Sequence, residues 1–480
     1  MNKRFYKAVC LVLSGIMLLA AAGCNDTKDV WSEWIETVPV DDGGSAADGL
    51  SSEEETAVTS TAQASSTAKK QSIINVTSNG KSKYKIVVSL SNDGYDEGRL
   101  VQKVIKATSK ASVPLILDTE SSNGPEIIIG DTTRAESKSL MSTVGNNEYA
   151  VKSDADGNII IAAAHAYALK LGVENFLTTY FGYDKNATEM GSGKEKSIPV
   201  NLNIRNNIID EYKLVWSDEF NGSTLDTDKW NFLPLMREQN HLKLRHDESA
   251  VQLGNGSIKL IAGRIDDENY WTNTALTTSE KMVFKYGYLE MRAKVPFGRP
   301  AFPSFWMKSS SYESEEPLVT AEVDMFEHFC HVGDDYLQTG IHKWYIDGTR
   351  EHFIGPQIGK YNFGSKSLAE QWHTYSLLWT EDSMNFMVDG KIYHTIDITS
   401  SGDFGTRGDG MGAFHDYFYI IFNNYLHTSD GSEEGNKDEQ NARADDRFPF
   451  VYEIDYVRLY QLPGQGAIAN ISNLGFSETA

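Results

Sequence analysis

The sequence predicts a multidomain protein in which a small α/β domain precedes a larger all-β sandwich. Three observations support this fold class. The chain has 480 residues, which exceeds the usual size of one domain. Residues 73–205 mix strand-like runs with apolar residues at helical spacing. Residues 206–462 carry short strand-like runs separated by turn signals, a pattern typical of an antiparallel sandwich.

Residues 1–24 have the pattern of an export signal. Two basic residues precede an apolar stretch that is short for a membrane span and ends in Gly23-Cys24. This ending resembles the bacterial lipobox, although Ala21 stands where that pattern prefers Leu. The resemblance implies that Cys24 is lipidated and holds the protein at the outer cell surface. An ordinary cleaved signal peptide is the alternative.

The remaining segments follow in order along the chain. Residues 25–72 are rich in Ser, Thr, Ala and acidic residues and cannot bury enough apolar surface to fold, so they predict a disordered tether. Within the α/β domain, residues 147–151 and 158–163 predict a hairpin. Residues 463–480 are rich in Gly, Ser and Asn and predict a loose tail.

Charge and cysteine content narrow the possible partners. The net charge of -23 argues against nucleic acid and anionic membrane surfaces, whereas a neutral polymer suffers no repulsion. Of three cysteines, Cys10 lies in the expected signal and Cys24 at the expected anchor, so no internal disulfide is expected for Cys330. The sequence shows no zinc-thiolate pattern, and we expect no metal in the chemistry. We expect a monomer whose only membrane contact is the lipid anchor.

An acidic run at residues 322–327 carries the candidate chemistry. Glycoside hydrolysis with retention needs two carboxyl groups about 5 to 5.5 Å apart. In a regular strand Glu322 and Asp324 share a face, and Glu327 points away. A bulge at Met325-Phe326 would return Glu327 to the face of Glu322, at an effective spacing of four residues.

These three acids suggest a division of roles. Like charges this close raise the pKa of at least one carboxyl group. We therefore expect Glu322 as nucleophile, Glu327 as general acid and then base, and Asp324 as the group that orients the nucleophile. An exposed acidic strand is the alternative. The apolar residues Val323 and Phe326 argue against it, because they indicate that one face is buried.

The pattern Glu-x-Asp-x-x-Glu resembles the bulged signature of glycoside hydrolase family 16. Five further blocks resemble that family in the same order: residues 214–222, 286–294, 373–379, 388–390 and 454–460. The resemblance implies a concanavalin-like jelly roll and endo-acting, retaining hydrolysis of an extracellular β-glycan. Residues 73–205, including the run 129–134, resemble the accessory domain of family 20 hexosaminidases and α-glucuronidases. This second resemblance carries no catalytic motif, and we expect a packing or spacer module, with a separate sugar site as the alternative.

The bulged form is typical of β-1,3-glucanases and of some galactan hydrolases, so we expect β-1,3-glucan of the laminarin type as substrate. The alternatives are a β-galactan of the agar or carrageenan type, a cell-wall transglycosylase, and a non-catalytic glycan-binding lipoprotein. The sequence departs from the family in having Phe302-Pro303-Ser304-Phe305-Trp306 for Trp-Pro-Ala-x-Trp, and in an insert taken as residues 308–320.

The resemblance and the positions of polar and aromatic residues suggest a set of substrate contacts. The candidates are Trp306, Phe302, His342, Trp344, Asn423 and Trp271. Aromatic faces pack against the C–H faces of sugars, and His342 and Asn423 offer hydrogen bonds. No cofactor is required. The resemblance also implies a structural calcium near Glu219, Gly222 and Asp455, away from the chemistry.

Overall fold

The structure is a computed structural model. It describes residues 73–90, 94–187, 190, 193–234, 238–239, 242–245, 247–263, 270–272, 274–298, 301–309, 318–328, 330, 336–347, 350–362, 368–399, 411–426 and 449–469. The predicted signal, Cys24 and the predicted tether lie outside these residues. Among the helices of the described ranges, none is long and apolar enough to cross a bilayer.

The first unit alternates strands and helices. In chain order its elements are β1 (Ile73–Thr77), β2 (Lys85–Val88), α1 (Gly94–Ser109), β3 (Leu115–Leu117), β4 (Glu126–Ile129), α2 (Ala135–Met141), β5 (Glu148–Ser153), β6 (Ile159–Ala163), α3 (Ala166–Phe181), β7 (Lys196–Pro199) and β8 (Asn203–Asn207). A mixed sheet runs in the order β3-β2-β4-β6-β5-β8, and β1 pairs with β7. The antiparallel β5–β6 pair confirms the predicted hairpin.

Helix α3 shows how the sequence forms this unit. The His165 side chain accepts a hydrogen bond from the backbone N–H of Ala168 and caps the first turn. Gly182 ends the helix in the left-handed conformation at φ 69°, where a side chain would be strained. Buried residues such as Val173 and Phe176 recur on one face, as their helical spacing predicted.

The second unit is a sandwich of strands. In chain order they are β9 (Lys213–Asp218), β10 (Asn231–Pro234), β11 (Glu238–Gln239), β12 (Leu242–Arg245), β13 (Val251–Gly254), β14 (Ser257–Ala262), β15 (Tyr270–Thr272), β16 (Thr274–Thr277), β17 (Val283–Lys285), β18 (Gly287–Lys294), β19 (Ala301–Ser309), β20 (Leu318–Glu327), β21 (Tyr336–Asp347), β22 (Arg350–Asn362), β23 (Trp372–Trp379), β24 (Ser383–Val388), β25 (Lys391–Asp397), β26 (Phe418–Leu426), β27 (Phe450–Gln461) and β28 (Ala467–Ala469). Single 3₁₀ turns occur at Ile208–Glu211, Glu248–Ala250 and Gly412–His415.

Two large sheets form the sandwich. Over the described residues, the first runs β10-β16-β26-β19-β20-β21-β22, with β17 and β28 beside β26. The second runs β13-β14-β27-β18-β23-β24-β25, with β9 beside β27. Buried apolar side chains from both sheets form one core between them, among them Phe305, Val323, Phe422, Met291, Leu377 and Val457. This is the predicted all-β sandwich, and β20, which carries the acidic run, lies inside the first sheet.

The first unit packs against the sandwich on the far side from β20. Tyr288, Leu378 and Met387 on the second sheet are buried in the same apolar cluster as the core of the first unit. Lys170 of α3 also pairs with Asp382, which precedes β24. Burial of this kind stabilises by roughly 25 cal/mol per Å² of apolar surface. Because the first unit covers the second sheet, the outer face of the β20 sheet is left for the candidate site.

Two segments differ from the sequence expectation. The residues expected to form a tail include β28, which pairs with Val283–Lys285. Gln461 Nε2 donates to the carbonyl oxygens of Lys285, Tyr286 and Ala467 beside this pair. The insert also proves shorter than predicted. Strand β19 continues through Ser309 and β20 begins at Leu318, so residues 308–309 and 318–320 belong to the sheet.

Candidate active site

A bulge in β20 lies within the acidic run, as predicted. Opposite β19, Phe326 pairs with Phe305 and Asp324 pairs with Trp306. Met325 is therefore the additional residue on the bulged strand. The register on the β21 side shifts over the same interval, between Asp324 and Glu327. The prediction of a bulge at Met325-Phe326 is confirmed.

The bulge places Glu322 and Glu327 on one face. Lys308 of β19 lies opposite Glu322, and Ser304 lies opposite Glu327. Ser304 and Lys308 are four residues apart on an unbulged strand, so their partners share a face at about 13 Å between Cα atoms. The intervening Val323 points into the core. Glu322, Asp324 and Glu327 therefore all lie on the outer face of the sheet.

Burial makes the pKa values of these acids differ from those of ordinary surface carboxylates. Glu322 is 3% exposed and Asp324 is 4% exposed, whereas Glu327 keeps partial exposure. Burial raises the pKa of Asp324 above its ordinary value. Burial, with the neighbouring charges of Asp324 and Glu322, raises the pKa of Glu327 well above its ordinary value. A carboxyl group that keeps its proton near neutral pH can act as a general acid.

His342 lies beside the middle acid. Its Nε2 atom is 2.8 Å from Asp324 Oδ2. The role of His342 as a sugar contact stays a prediction. The donor atoms of Glu322, Asp324 and His342 lie within 4.8 Å of one another. Cross-strand pairing of Glu322 with His342 accounts for this closeness.

The acid Glu327 has two polar neighbours that sequence reasoning missed. Gln338 Nε2 donates to Glu327 Oε2 at 3.4 Å, and this hydrogen bond slightly opposes the rise in the pKa of Glu327. Ser304 lies on the other side of the acid and is 4% exposed. Strand alternation from Phe302 to Lys308 was a signal for Ser304, because it puts residues 302, 304, 306 and 308 on one face.

The predicted contacts Trp306, Phe302 and Asn423 lie on the same outer face. Trp306 Nε1 donates to Asn423 Oδ1 at 2.8 Å. The indole also packs in a small apolar cluster with Ile421. Phe302 lies four residues before Trp306 on β19, where it is opposite Tyr425. The structure thus brings these three candidates together beside the acids.

The two remaining tryptophan candidates are described only by their backbones. Trp344 lies in β21, two residues after His342 and opposite Thr320. Trp271 lies in β15, which pairs with β12 in a small separate sheet rather than in a loop. Their side chains lie outside the described part of the structure. Both residues stay predictions as substrate contacts.

The implied calcium position carries two arginines. Glu219 accepts from Arg458 through both carboxylate oxygens, at 3.0 and 2.7 Å, and Asp455 Oδ2 accepts from Arg292 at 2.5 Å. The Arg458 guanidinium lowers the pKa of Glu219. Calcium needs carboxylate oxygens that are available to the ion, so these two side chains do not fit it as they stand. Calcium binding near Gly222 stays a prediction.

The outer face thus carries a set of groups suited to glycosidic bond cleavage. Two glutamates share a face across a bulge, one of them has a raised pKa, and an indole lies beside them. Retaining glycosidases use such a pair as nucleophile and acid–base. Fold and site together define a β-sandwich glycoside hydrolase.

The family comparison agrees with this class. Residues 212–462 match the family model described as the β-porphyranase A–D GH16 domain, and this match spans more than half of the chain. The chain belongs to this family of glycoside hydrolase family 16 domains.

Individual proteins are more distant. The chain is 28% identical over 273 residues to glucan endo-1,3-beta-glucosidase A1 of Niallia circulans, covering 52% of this chain and 38% of that protein. It is 24% identical over 288 residues to a keratan-sulfate endo-1,4-beta-galactosidase of Sphingobacterium multivorum, covering 56% and 60%. The chain thus spans less than two thirds of either relative. The laminarinase catalytic domain of Thermotoga maritima superposes with a TM-score of 0.41 at 24% identity, covering 52% of this chain and 98% of that domain.

Proposed function

We propose that the protein is a retaining, endo-acting hydrolase of extracellular β-glycans, with β-1,3-glucan as the leading substrate. The bulged strand that puts Glu322 and Glu327 on one face carries the proposal. The similarity to an endo-1,3-β-glucosidase supports the choice of linkage. The partner in this proposal is a neutral polysaccharide, which a chain of net charge -23 does not repel.

The proposed reaction has two steps. Glu322 attacks the anomeric carbon, the bond to the leaving sugar oxygen breaks, and Glu327 gives its proton to that oxygen. A covalent glycosyl-enzyme is left. Glu327, now a carboxylate, then takes a proton from water, the water oxygen attacks the anomeric carbon, and Glu322 leaves as carboxylate. Asp324, held by His342, orients Glu322 in both steps.

A β-galactan is the second candidate substrate. The matching family model is described by β-porphyranases, and one relative acts on keratan sulfate by its printed name. The same carboxyl pair can act on both substrates, because the reaction at the anomeric carbon has the same steps in each. The distinction therefore lies in the residues around the acids rather than in the acids.

The test compares the wild type with Glu322→Ala and Glu327→Ala on laminarin, mixed-linkage glucan, agarose, porphyran and carrageenan. Release of reducing ends from laminarin by the wild type alone supports the leading proposal. Release from agarose or porphyran alone selects the galactan. Affinity without release in all three proteins would identify a glycan-binding protein, and products longer than the substrate would identify a transglycosylase. Equal activity in all three proteins would contradict both candidates.

We also propose that the first unit is a packing module and that the chain is a monomeric lipoprotein of the cell surface. The shared apolar cluster around Tyr288 supports the first point. The Gly23-Cys24 ending supports the second. Detergent extraction of the wild type and release of Cys24→Ala into the medium would test the anchor. Cell association of the variant equal to that of the wild type would contradict it.

A further inference from the structure

The outer face around the acids is arranged in rows across β19, β20 and β21. One row contains Lys308, Glu322 and His342. Another row on the same face contains Ser304, Glu327 and Gln338. Side chains directly opposite each other in such pairs have Cβ atoms about 4.5 to 5.5 Å apart. Each glutamate is therefore flanked on both sides, and the flanking residues differ in charge.

We propose that Lys308 is a positioning residue that holds Glu322 in the ionised form required of the nucleophile. The inference rests on the proposed function and deepens it. Lys308 is 7% exposed and Glu322 is 3% exposed, so little solvent reaches either side chain. A buried ammonium is costly unless negative charge lies near, and the cross-strand carboxylate supplies such a charge.

Charged and titratable groups lie near Glu322 on the neighbouring strands. On β20 itself, Asp324 and Glu327 are acids that disfavour a further negative charge. On β21, His342 contacts Asp324, and the buried Lys343 lies opposite the core residue Ala321 rather than opposite Glu322. Beyond Lys308, strand β26 places Tyr419 opposite the lysine. Within these described neighbours, Lys308 is the lysine that lies in the row of the nucleophile, on the side away from His342.

The surroundings of Glu327 explain how a single lysine can give the two glutamates different protonation states. Ser304 and Gln338, which flank Glu327, are uncharged, and burial with the charges of Asp324 and Glu322 raises the pKa of Glu327. Opposite charge within about 4 to 6 Å lowers a carboxyl pKa by roughly 1 to 3 units. A cation in the row of Glu322 alone therefore divides the two glutamates into a base form and an acid form.

The test measures kcat/KM against pH on whichever panel glycan the wild type cleaves. The acid limb of that profile reports the free-enzyme pKa of the group that must be ionised. Lys308→Met should move this limb upward by about 1 to 3 pH units while the alkaline limb stays in place. Lys308→Gln should do the same, and Lys308→Arg should keep the wild-type limb. Lys294→Met, which removes a lysine from the other sheet, is the matched control and should keep the profile.

Three results would overturn the inference. One is an acid limb unmoved in both neutral variants, with the rate lowered equally at all pH values. A second is loss confined to sulfated galactans, which would place Lys308 on the substrate. For the third, the Glu322 carboxyl is titrated by ¹³C NMR without substrate, with Glu322→Gln to assign its signal. An unchanged pKa in the folded Lys308→Met protein contradicts the role of Lys308. This measurement needs no turnover, so failure of the proposed function remains a separate outcome.

Discussion

The two ends of the acidic run on β20 have the same residue type and opposite surroundings. At one end Glu322 lies between Lys308 and His342, and at the other Glu327 lies between Ser304 and Gln338. Both glutamates are on one face of one strand. Under the proposed roles, the cross-strand neighbours rather than the acids themselves decide which glutamate is suited to attack and which to give up a proton.

Exposure follows the same division. Glu322 is buried at 3%, whereas Glu327 keeps partial exposure. A nucleophile has to be held in place against the anomeric carbon, and a proton donor has to exchange with water once in each cycle. The geometry of the two ends therefore agrees with the two proposed roles. Three of the predictions below change one end and leave the other intact, and one changes Asp324 between them.

The largest effect is expected at the nucleophile. Glu322→Ala should lower kcat by about 10⁴-fold or more, the scale of losing one member of a group that acts as a unit. Added azide should fill the space left by the carboxylate and attack the anomeric carbon directly. The product should then be a glycosyl azide of inverted configuration, identified by NMR. A glycosyl azide of retained configuration would assign Glu322 to the acid role instead.

A smaller and substrate-dependent effect is expected at the acid. Glu327→Gln should lower kcat on a natural glycan by about 10²- to 10⁴-fold, because the leaving oxygen no longer receives a proton. A dinitrophenyl glycoside, whose leaving group needs no proton, should form the glycosyl-enzyme at near the wild-type rate. Pre-steady-state release of dinitrophenolate measures this step. An equal loss on both substrates would contradict the assignment.

The raised pKa of Asp324 predicts that the stability of the fold depends on pH. Its raised folded pKa means that between the unfolded value and the folded value the native state holds a proton which the unfolded chain has released. Stability therefore falls as pH rises through that window. The Asp324→Asn variant has no charge at this position, so its melting temperature should fall less between pH 4 and pH 9 than that of the wild type. The expected difference is a few °C, for a change of about 1 kcal/mol in the free energy of unfolding. Parallel melting curves for variant and wild type would refute this reading.

The smallest effect is expected from Gln338. Its amide favours the charged form of Glu327, so Gln338→Leu should raise the pKa of Glu327 further and move the alkaline limb of kcat/KM upward. The contact is long, at 3.4 Å, so a shift of a few tenths of a pH unit is expected. Ser304→Ala, which removes no contact to that carboxylate among the described hydrogen bonds, serves as the comparison. A downward shift of the limb would be inconsistent with this contact.

Much of the fold and the catalytic acids could be predicted because the signals are local. The alternation of Ala321, Val323 and the apolar pair Met325-Phe326 with acids reveals a strand with one buried face and an extra residue. The helix that ends at Gly182 and the hairpin at β5–β6 also follow from short-range patterns. Element types can be inferred in this way without knowledge of their partners.

The neighbours of the acids could not be predicted, because they depend on the register between strands. That Lys308 lies opposite Glu322 follows from pairing across a segment that sequence reasoning took as an insert beginning at Lys308. The pair of Glu219 with Arg458 joins residues 239 positions apart. The family resemblance that implied calcium near Glu219 contains no information about that distant guanidinium.

The central claim is that Glu322 forms the covalent bond and Glu327 does not. A 2-deoxy-2-fluoro glycoside with a dinitrophenyl leaving group, built on the sugar that the wild type cleaves, slows the second step and lets the glycosyl-enzyme accumulate. Digestion and mass spectrometry then locate the label. We expect a labelled peptide with the sugar on Glu322 in both the wild type and Glu327→Gln. A sugar on Glu327 or Asp324 would contradict it.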